Sequence, residues 1–181
     1  MRSRVALSQA LLFLALTLPA AAEDDRKLSF RHDVLPVLSK AGCNGGGCHG
    51  ALAGKGGFRL SLNAYDPATD HYNITRENRG RRIEFAAPAS SLFVTKPTAA
   101  VRHKGGKVLH ENSEAYRILT RWIQQGAPGP SDGDPTIERV EMSPTLSQLK
   151  KGQAQQLTVR AFFSDGTERD VTRWARFAST D

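Results

Sequence analysis

Along residues 29–41 (SFRHDVLPVLSKA), apolar side chains recur at Phe30, Val34, Val37 and Leu38, the spacing of one helical face. Ser29 is placed to cap that helix. Pro36 lacks an N–H and crowds the preceding turn, so it must open a shorter helix or kink a longer one. Residues 113–125 (SEAYRILTRWIQQ) carry a fuller stripe, with Ala115, Ile118, Leu119, Trp122 and Ile123 at i, i+3, i+4, i+7 and i+8. Ser113 is a suitable N-cap there, and Gly126 followed by Pro128 is a suitable stop. A short helix is expected over 89–96; the remainder of this half reads as glycine-rich loop. From Thr136 the period changes to two. Leu157, Val159, Ala161 and Phe163 alternate with polar or outward positions, as in a half-buried strand. Ser164-Asp165-Gly166-Thr167 predicts a hairpin turn, and residues 168–174 the return strand. Ile137, Val140 and Met142 suggest an earlier strand, and Gly152 a further turn. The segment GAPGPSDGDP over 126–135 is turn and linker chemistry. No internal repeat or heptad is present.

Composition bounds the class. The 181 residues are 39% hydrophobic and 24% charged, which excludes both a multi-span membrane protein and a low-hydrophobicity disordered chain. The formal net charge of +7 raises the question of nucleic acid. Part of that charge, Arg2 and Arg4, precedes a nine-residue apolar run over 10–18, then Pro19 and Ala20, Ala21 and Ala22. A basic start, a short apolar centre and a small-residue end form the pattern of a secretory signal peptide. The run is too short to cross hydrocarbon, which takes about 20 residues. Cleavage after Ala22 leaves 159 residues (181 − 22) and a net charge of +5, because two Arg and no acids depart. Residues 23–130 then hold 16 basic and 10 acidic side chains and all five His, whereas 131–181 hold 7 basic and 8 acidic. An exported chain with no accompanying binding motif makes nucleic acid an unsuitable partner.

The chemistry concentrates in Cys43-Asn-Gly-Gly-Gly-Cys48-His49-Gly50. Two thiols followed at once by an imidazole is the arrangement of c-type haem attachment. Both thiols can add to the haem edge while the adjacent His turns under the porphyrin to the iron, and Gly50 lets the chain pass close by. The common spacing has two residues between the cysteines; here there are four. Taken alone, the motif leaves other readings open. Cys43 and Cys48 could form a small-ring disulfide in an oxidising compartment. A zinc site wants four ligands where three are obvious, and a redox dithiol normally uses the tighter C-x-x-C.

The stretches VLPVLSKAGCNGGGCHG, GKGGFRLSL, TRENRGRR, SSLFVTKPT, HKGGK and YRILTRWIQQGAP occur in this order. Together they make residues 30–127 resemble the cytochrome-c-like domains of large secreted planctomycete-type proteins, four-residue spacer included. The resemblance implies a mainly α cytochrome-c-like domain over 23–127 and one covalently attached haem c. It implies thioether anchors at Cys43 and Cys48, His49 as proximal iron ligand, and single-electron transfer. Methionine is unavailable as a sixth ligand, because Met1 lies in the leader and Met142 beyond the 128–135 linker. The resembling domains carry their distal loop where His103 stands, which makes His103 the expected distal ligand, with His110 second or the site left open. His71, in an acidic polar loop, reads as solvated, and His32 as a surface residue. Two imidazoles, or one with an open site, favour a lower potential than a His/Met pair.

Arg76, Arg79, Arg81 and Arg82 read first as a solvated face, or as a source of one guanidinium for a haem propionate. Phe58 is a candidate haem contact and Trp122 a core residue. No Ser/His/Asp set, phosphate loop or paired carboxylates point to an enzyme. The expected partner is a redox protein or small electron carrier, in the periplasm or at the cell surface.

In the second half, VEMSPTLSQLKKGQAQQLTVRAFFSDGTERDVT resembles the start of a bacterial Ig-like (group 2) domain, implying a β-sandwich spacer or adhesion element. The 46 residues of 136–181 fall short of the roughly 100 of an Ig sandwich, so an incomplete module of a longer protein is expected. The rival reading is a haem-free extracellular adhesion or carbohydrate-binding protein whose Cys43 and Cys48 are joined.

Overall fold

The computed structural model describes residues 26–180; the expected signal peptide lies outside the described residues. Ser29 caps the first helical segment as its type and place require, its Oγ accepting from the His32 N–H at 3.3 Å. Pro36 decides the shape of the helical segment behind that cap. A wide π-type turn, Phe30–Val34, leads into helix α1, Leu35–Lys40, with Pro36 in its first turn. The proline cannot donate to a carbonyl one turn back, so the chain widens before it and starts a regular helix around it. Asp33 completes the entry. Its carboxylate accepts from the Ser29 N–H at 2.7 Å and takes two bonds from the Arg26 guanidinium at 2.8 and 3.0 Å.

The polar segment after Leu62, read from sequence as loop, contains a helix. Helix α2 spans Pro67–Thr75, with Asp66 accepting from the Thr69 N–H at 3.1 Å and proline in the first turn. Its apolar face is narrow, essentially Ile74, so periodicity does not reveal it; the Asp-Pro start was the available signal. The helix expected over 89–96 is broken in two. A short 3₁₀ turn, Pro88–Ser90, precedes helix α3, Leu92–Thr95, and the extended backbone of Ser91 separates them.

Helix α4, Glu114–Gln124, follows its stripe: Leu119, Trp122 and Ile123 are buried and the Ser113 Oγ accepts from the Tyr116 N–H. It ends in a Schellman arrangement, with the Gly126 N–H on Ile123 O and the Ala127 N–H on Trp122 O, both at 2.9 Å. Gly126 holds the required positive φ of 88°. Trp122 is fully buried against Phe30 and Phe93, its Nε1–H donating to Pro128 O, so it is a core residue. The core also takes in Val34, Leu38, Leu60 and Ile74.

Past the linker, β1 (Ile137–Ser143), β2 (Thr158–Phe163) and β3 (Glu168–Asp170) form an antiparallel sheet in that order. Val159, Ala161 and Phe163 are buried, as their alternation requires. The Asp165-Gly166 turn closes with Phe163 N–H on Thr167 O at 2.9 Å. The return strand is shorter than its pattern. The chain turns at Val171 and delivers Trp174 to the helical core.

His32 corrects its expectation as a surface residue. Its Nε2–H donates to Pro135 O at 2.6 Å and its ring meets Phe163 edge-on at 5.0 Å. Arg169 of β3 reaches Asp33 at 3.5 Å, Lys40 donates to Ala175 O at 2.5 Å, and Arg173 pairs with Glu114. Sheet and helices therefore share a polar seam. Among the described residues no helix is long and apolar enough to cross a membrane.

Candidate functional site

The loop that carries the two cysteines is folded onto itself. The Cys43 N–H donates to Leu38 O at the end of α1, the Cys48 N–H to Gly45 O, and the His49 N–H to Cys43 O, all at 2.9 Å. Within the spacer, Asn44 is buried and its amide reaches Ser39 Oγ at 2.8 Å, while Gly46 and Gly47 are exposed. The four-residue spacer is thus anchored at its first residue and loops out only at the glycines. Gly50 is required for a local reason. A Cβ there would stand 2.0 Å from Asn44 O, so the close approach it permits is of the loop to itself.

Both cysteines are half-buried free thiols. Burial, with Cys48 nearby, pushes the Cys43 thiol up to about 11, so it stays protonated and weakly nucleophilic at neutral pH. Cys43, Cys48, His49, Phe58 and His103 all line one cavity of about 1100 Å³, at the upper end of small-ligand sites. Its remaining wall is largely apolar, with Val37 and Leu38 of α1, Leu92 and Phe93 of α3, Leu109 and Leu119. Lys55, Arg81, Lys96, Arg102 and Lys104 supply cations at its border, and among the described residues no carboxylate lines it.

The two imidazoles are arranged as a pair. Their ring centres are 6.3 Å apart and their planes are 14° from parallel, too far for stacking contact. The His49 Nδ1–H donates to Phe58 O at 3.0 Å, and the His103 Nδ1–H to Gly106 O at 2.9 Å. A carbonyl can only accept, so each ring in its neutral form keeps the proton on Nδ1 and the lone pair on Nε2, the state in which histidine binds a metal. Burial is the main cause holding the His49 pKa below its ordinary value, and His103 adds to it, against the opposing Phe58 bond.

The sequence-predicted residues Cys43, Cys48, His49 and His103 therefore come together at one cavity. His110 is exposed and outside it. His71, expected in solvent, instead sits on α2 with its ring edge-on to Phe30 at 5.3 Å and its Nε2–H on Ala127 O at 2.9 Å. Of the arginine cluster, Arg81 is exposed at the cavity border. Arg82 is buried and engaged within the protein.

Sequence reasoning missed several supports. Asp70 of α2 is fully buried and accepts from the Ser61 N–H at 2.5 Å and the Ser61 hydroxyl at 2.7 Å. Ser61 follows Leu60, whose N–H donates to His49 O at 2.8 Å. Gly105 lies against His103: a Cβ at 105 would be 2.8 Å from its Cε1. An acid nine residues after a serine and a glycine two after a histidine carry no one-dimensional signature.

Comparison of the chain with family models, with curated proteins and with solved structures found no match.

The site can be tested against a haem on its own geometry. Two imidazoles bound to one metal from opposite sides, at about 2.0 Å through nitrogen, have their ring centres roughly 6 Å apart. Among the described residues no group of three or more His, Cys, Asp or Glu side chains is placed to hold a metal ion alone. Two imidazoles at that separation with no further protein ligands suit a metal whose other positions are filled by a planar macrocycle. The cavity volume and its apolar wall suit the same occupant, and the residues fit the group.

Proposed function

We propose that this chain is a c-type cytochrome module that carries one covalently attached haem and passes single electrons to and from a redox protein or small carrier. The observation that carries the reading is the pairing of His49 and His103, near-parallel rings with centres 6.3 Å apart, at one cavity that both cysteines also line. In it, Cys43 and Cys48 are the thioether anchors, His49 the proximal ligand and His103 the distal ligand. Bound there, the haem supplies a reversible one-electron couple, Fe(III)/Fe(II).

The protein's own part is positional. Phe58 O and Gly106 O hold the two imidazoles as Nδ1–H tautomers, which leaves the lone pair on Nε2. The apolar wall excludes water, and the cationic border suits the two propionates of a haem, with Arg81 and Arg102 the available guanidiniums. Attachment requires export to a compartment with haem lyase activity, in keeping with the leader-like start of the sequence. The sheet after the linker is a spacer or adhesion element of Ig-like type.

A pyridine haemochrome spectrum tests the reading directly, on protein matured in a host with cytochrome c assembly factors. A c-type α band at one haem per chain is expected. No such band, together with a Cys43–Cys48 disulfide found by peptide mass mapping, overturns it in favour of a haem-free adhesion protein.

A further inference from the structure

His49 donates its Nδ1–H to Phe58 O. The segment bearing that carbonyl is held from α2 and the turn after it by Asn73 Nδ2 on Arg59 O at 3.1 Å and Asn78 Nδ2 on Gly57 O at 3.5 Å, with a shorter bond from Arg82. Gly54, Gly56 and Gly57 all adopt positive φ, at 63°, 60° and 71°, conformations that glycine enters without selecting them over others. The turn is closed on itself by one pair of bonds, Lys55 N–H to Phe58 O and Phe58 N–H to Lys55 O. Only something outside the turn can fix it relative to the rest of the site.

Arg82 does so. Its Nη2 donates to Gly57 O at 2.7 Å and its Nη1 to Asn73 O, at the end of α2, at 2.8 Å. The more exposed Glu77 carboxylate pairs with Nη1 at 3.0 Å, and of the two only Arg82 lines the cavity. The guanidinium also lies over the Phe58 ring, 4.5 Å from its centre, a cation–π contact that gains weight in a desolvated setting. The other side of the link is the Phe58 ring itself, 4.7 Å from the His49 ring centre. One planar fork thus joins α2, the glycine turn and the aromatic that touches the imidazole.

We propose that Arg82 is a positioning residue for His49: it clamps the 57–58 backbone, whose carbonyl holds the imidazole with Nε2 free, and sets a fixed positive charge in the cavity wall. The proposal deepens the cytochrome reading and rests on it for its redox consequence. A fixed cation beside a one-electron centre favours the reduced, less positive state. The bidentate geometry separates the two roles, because lysine keeps the charge but cannot bridge two carbonyls as a fork.

The test compares Arg82→Met and Arg82→Lys in the purified full chain with haem attached. Arg82→Met is expected to disfavour reduction about tenfold, a potential about 59 mV more negative for one electron. It should also broaden the low-spin EPR signal as the His49 ring loses its fixed azimuth. Arg82→Lys should recover most of the potential but leave the EPR signal broad. Wild-type values of both quantities in Arg82→Met overturn the proposal, and a sharp EPR signal in Arg82→Lys overturns the clamping role. Should Arg82→Met not accumulate, Arg82→Lys alone decides that role.

If the purified wild type carries no haem, the cytochrome reading fails and the clamp is still measurable. Nitrogen-15 NMR of His49 should then show the Nδ1–H tautomer in wild type and a mixture in Arg82→Lys. Identical tautomer populations overturn the clamp.

Discussion

The two sides of the cavity are built differently. On the His49 side, a chain of backbone bonds runs from α1 through the cysteine loop, and buried groups from three segments converge: Asn44, Asp70 and Arg82. On the His103 side, the ring sits in a loop whose neighbours Arg102, Lys104, Gly105 and Gly106 are exposed. One hydrogen bond to Gly106 O and the absence of a side chain at 105 hold it. The first imidazole is part of the folded core's wiring; the second is presented by a loop that can yield. A site built this way keeps the His49 ring fixed and leaves the His103 ring as the adjustable one.

The largest effect that could break this contrast is at the first imidazole. On the proposed cytochrome function, His49→Ala is expected to abolish stable haem incorporation, read as loss of the haemochrome band, whereas His103→Ala should retain covalent haem and alter only the low-spin Soret and α bands. Equal loss in both variants would remove the asymmetry.

Next is Gly50→Ala, whose Cβ would meet backbone rather than a flexible side chain. It is expected to cost about 1–3 kcal/mol, in line with overpacking a tight site. The measurement is chemical denaturation, and an unchanged midpoint would mean the loop has room that its geometry denies.

Asp70→Ala should cost about 1–3 kcal/mol by stranding the Ser61 N–H and hydroxyl. Burial raises the Asp70 pKa against the two Ser61 bonds. The folded state therefore holds that proton more tightly than the unfolded chain, whose value is about 3.9. Stability is greatest at the acid side of this window and falls as pH rises through it. Asp70→Asn should flatten that acid-range slope, measurable as denaturation midpoint against pH.

The smallest effect is on the His103 side. Gly105→Ala should leave stability within about 0.5 kcal/mol, as at other surface positions, while tilting His103 and shifting the α band. A stability loss matching Gly50→Ala would show the two loops to be equally rigid.

Sequence pattern was most informative where one residue type answers one local demand. Ser113, the apolar stripe and Gly126 mark α4 almost to its ends, and the Asp-Gly turn marks the β2–β3 hairpin. It failed where the demand was tertiary. Helix α2 has too little apolar face to show a period. Ser91 breaks the helix expected over 89–96, with its hydroxyl accepting from the Glu84 N–H. His32 and His71 looked free because their partners, Pro135 and Phe163 for one, Phe30 and Ala127 for the other, lie 41 to 131 positions away along the chain. At the site, the thiols and His49 were legible as a cluster, while His103 was expected from the resemblance of its loop and lines the same cavity. Arg82 read as a solvated charge because nothing local distinguishes a guanidinium that ends inside from one that ends in water.

The neighbours His32 and Asp33 also have a mechanical meaning. They sit on the single turn that opens the helical unit, and they take hold of Pro135, Phe163 and Arg169. The seam has a second hold at the other end of α1, where Lys40 donates to Ala175 O three residues before Cys43, so the sheet grips α1 at both ends. A load on the sheet is thereby shared along the length of α1, the helix whose Val37 and Leu38 line the cavity.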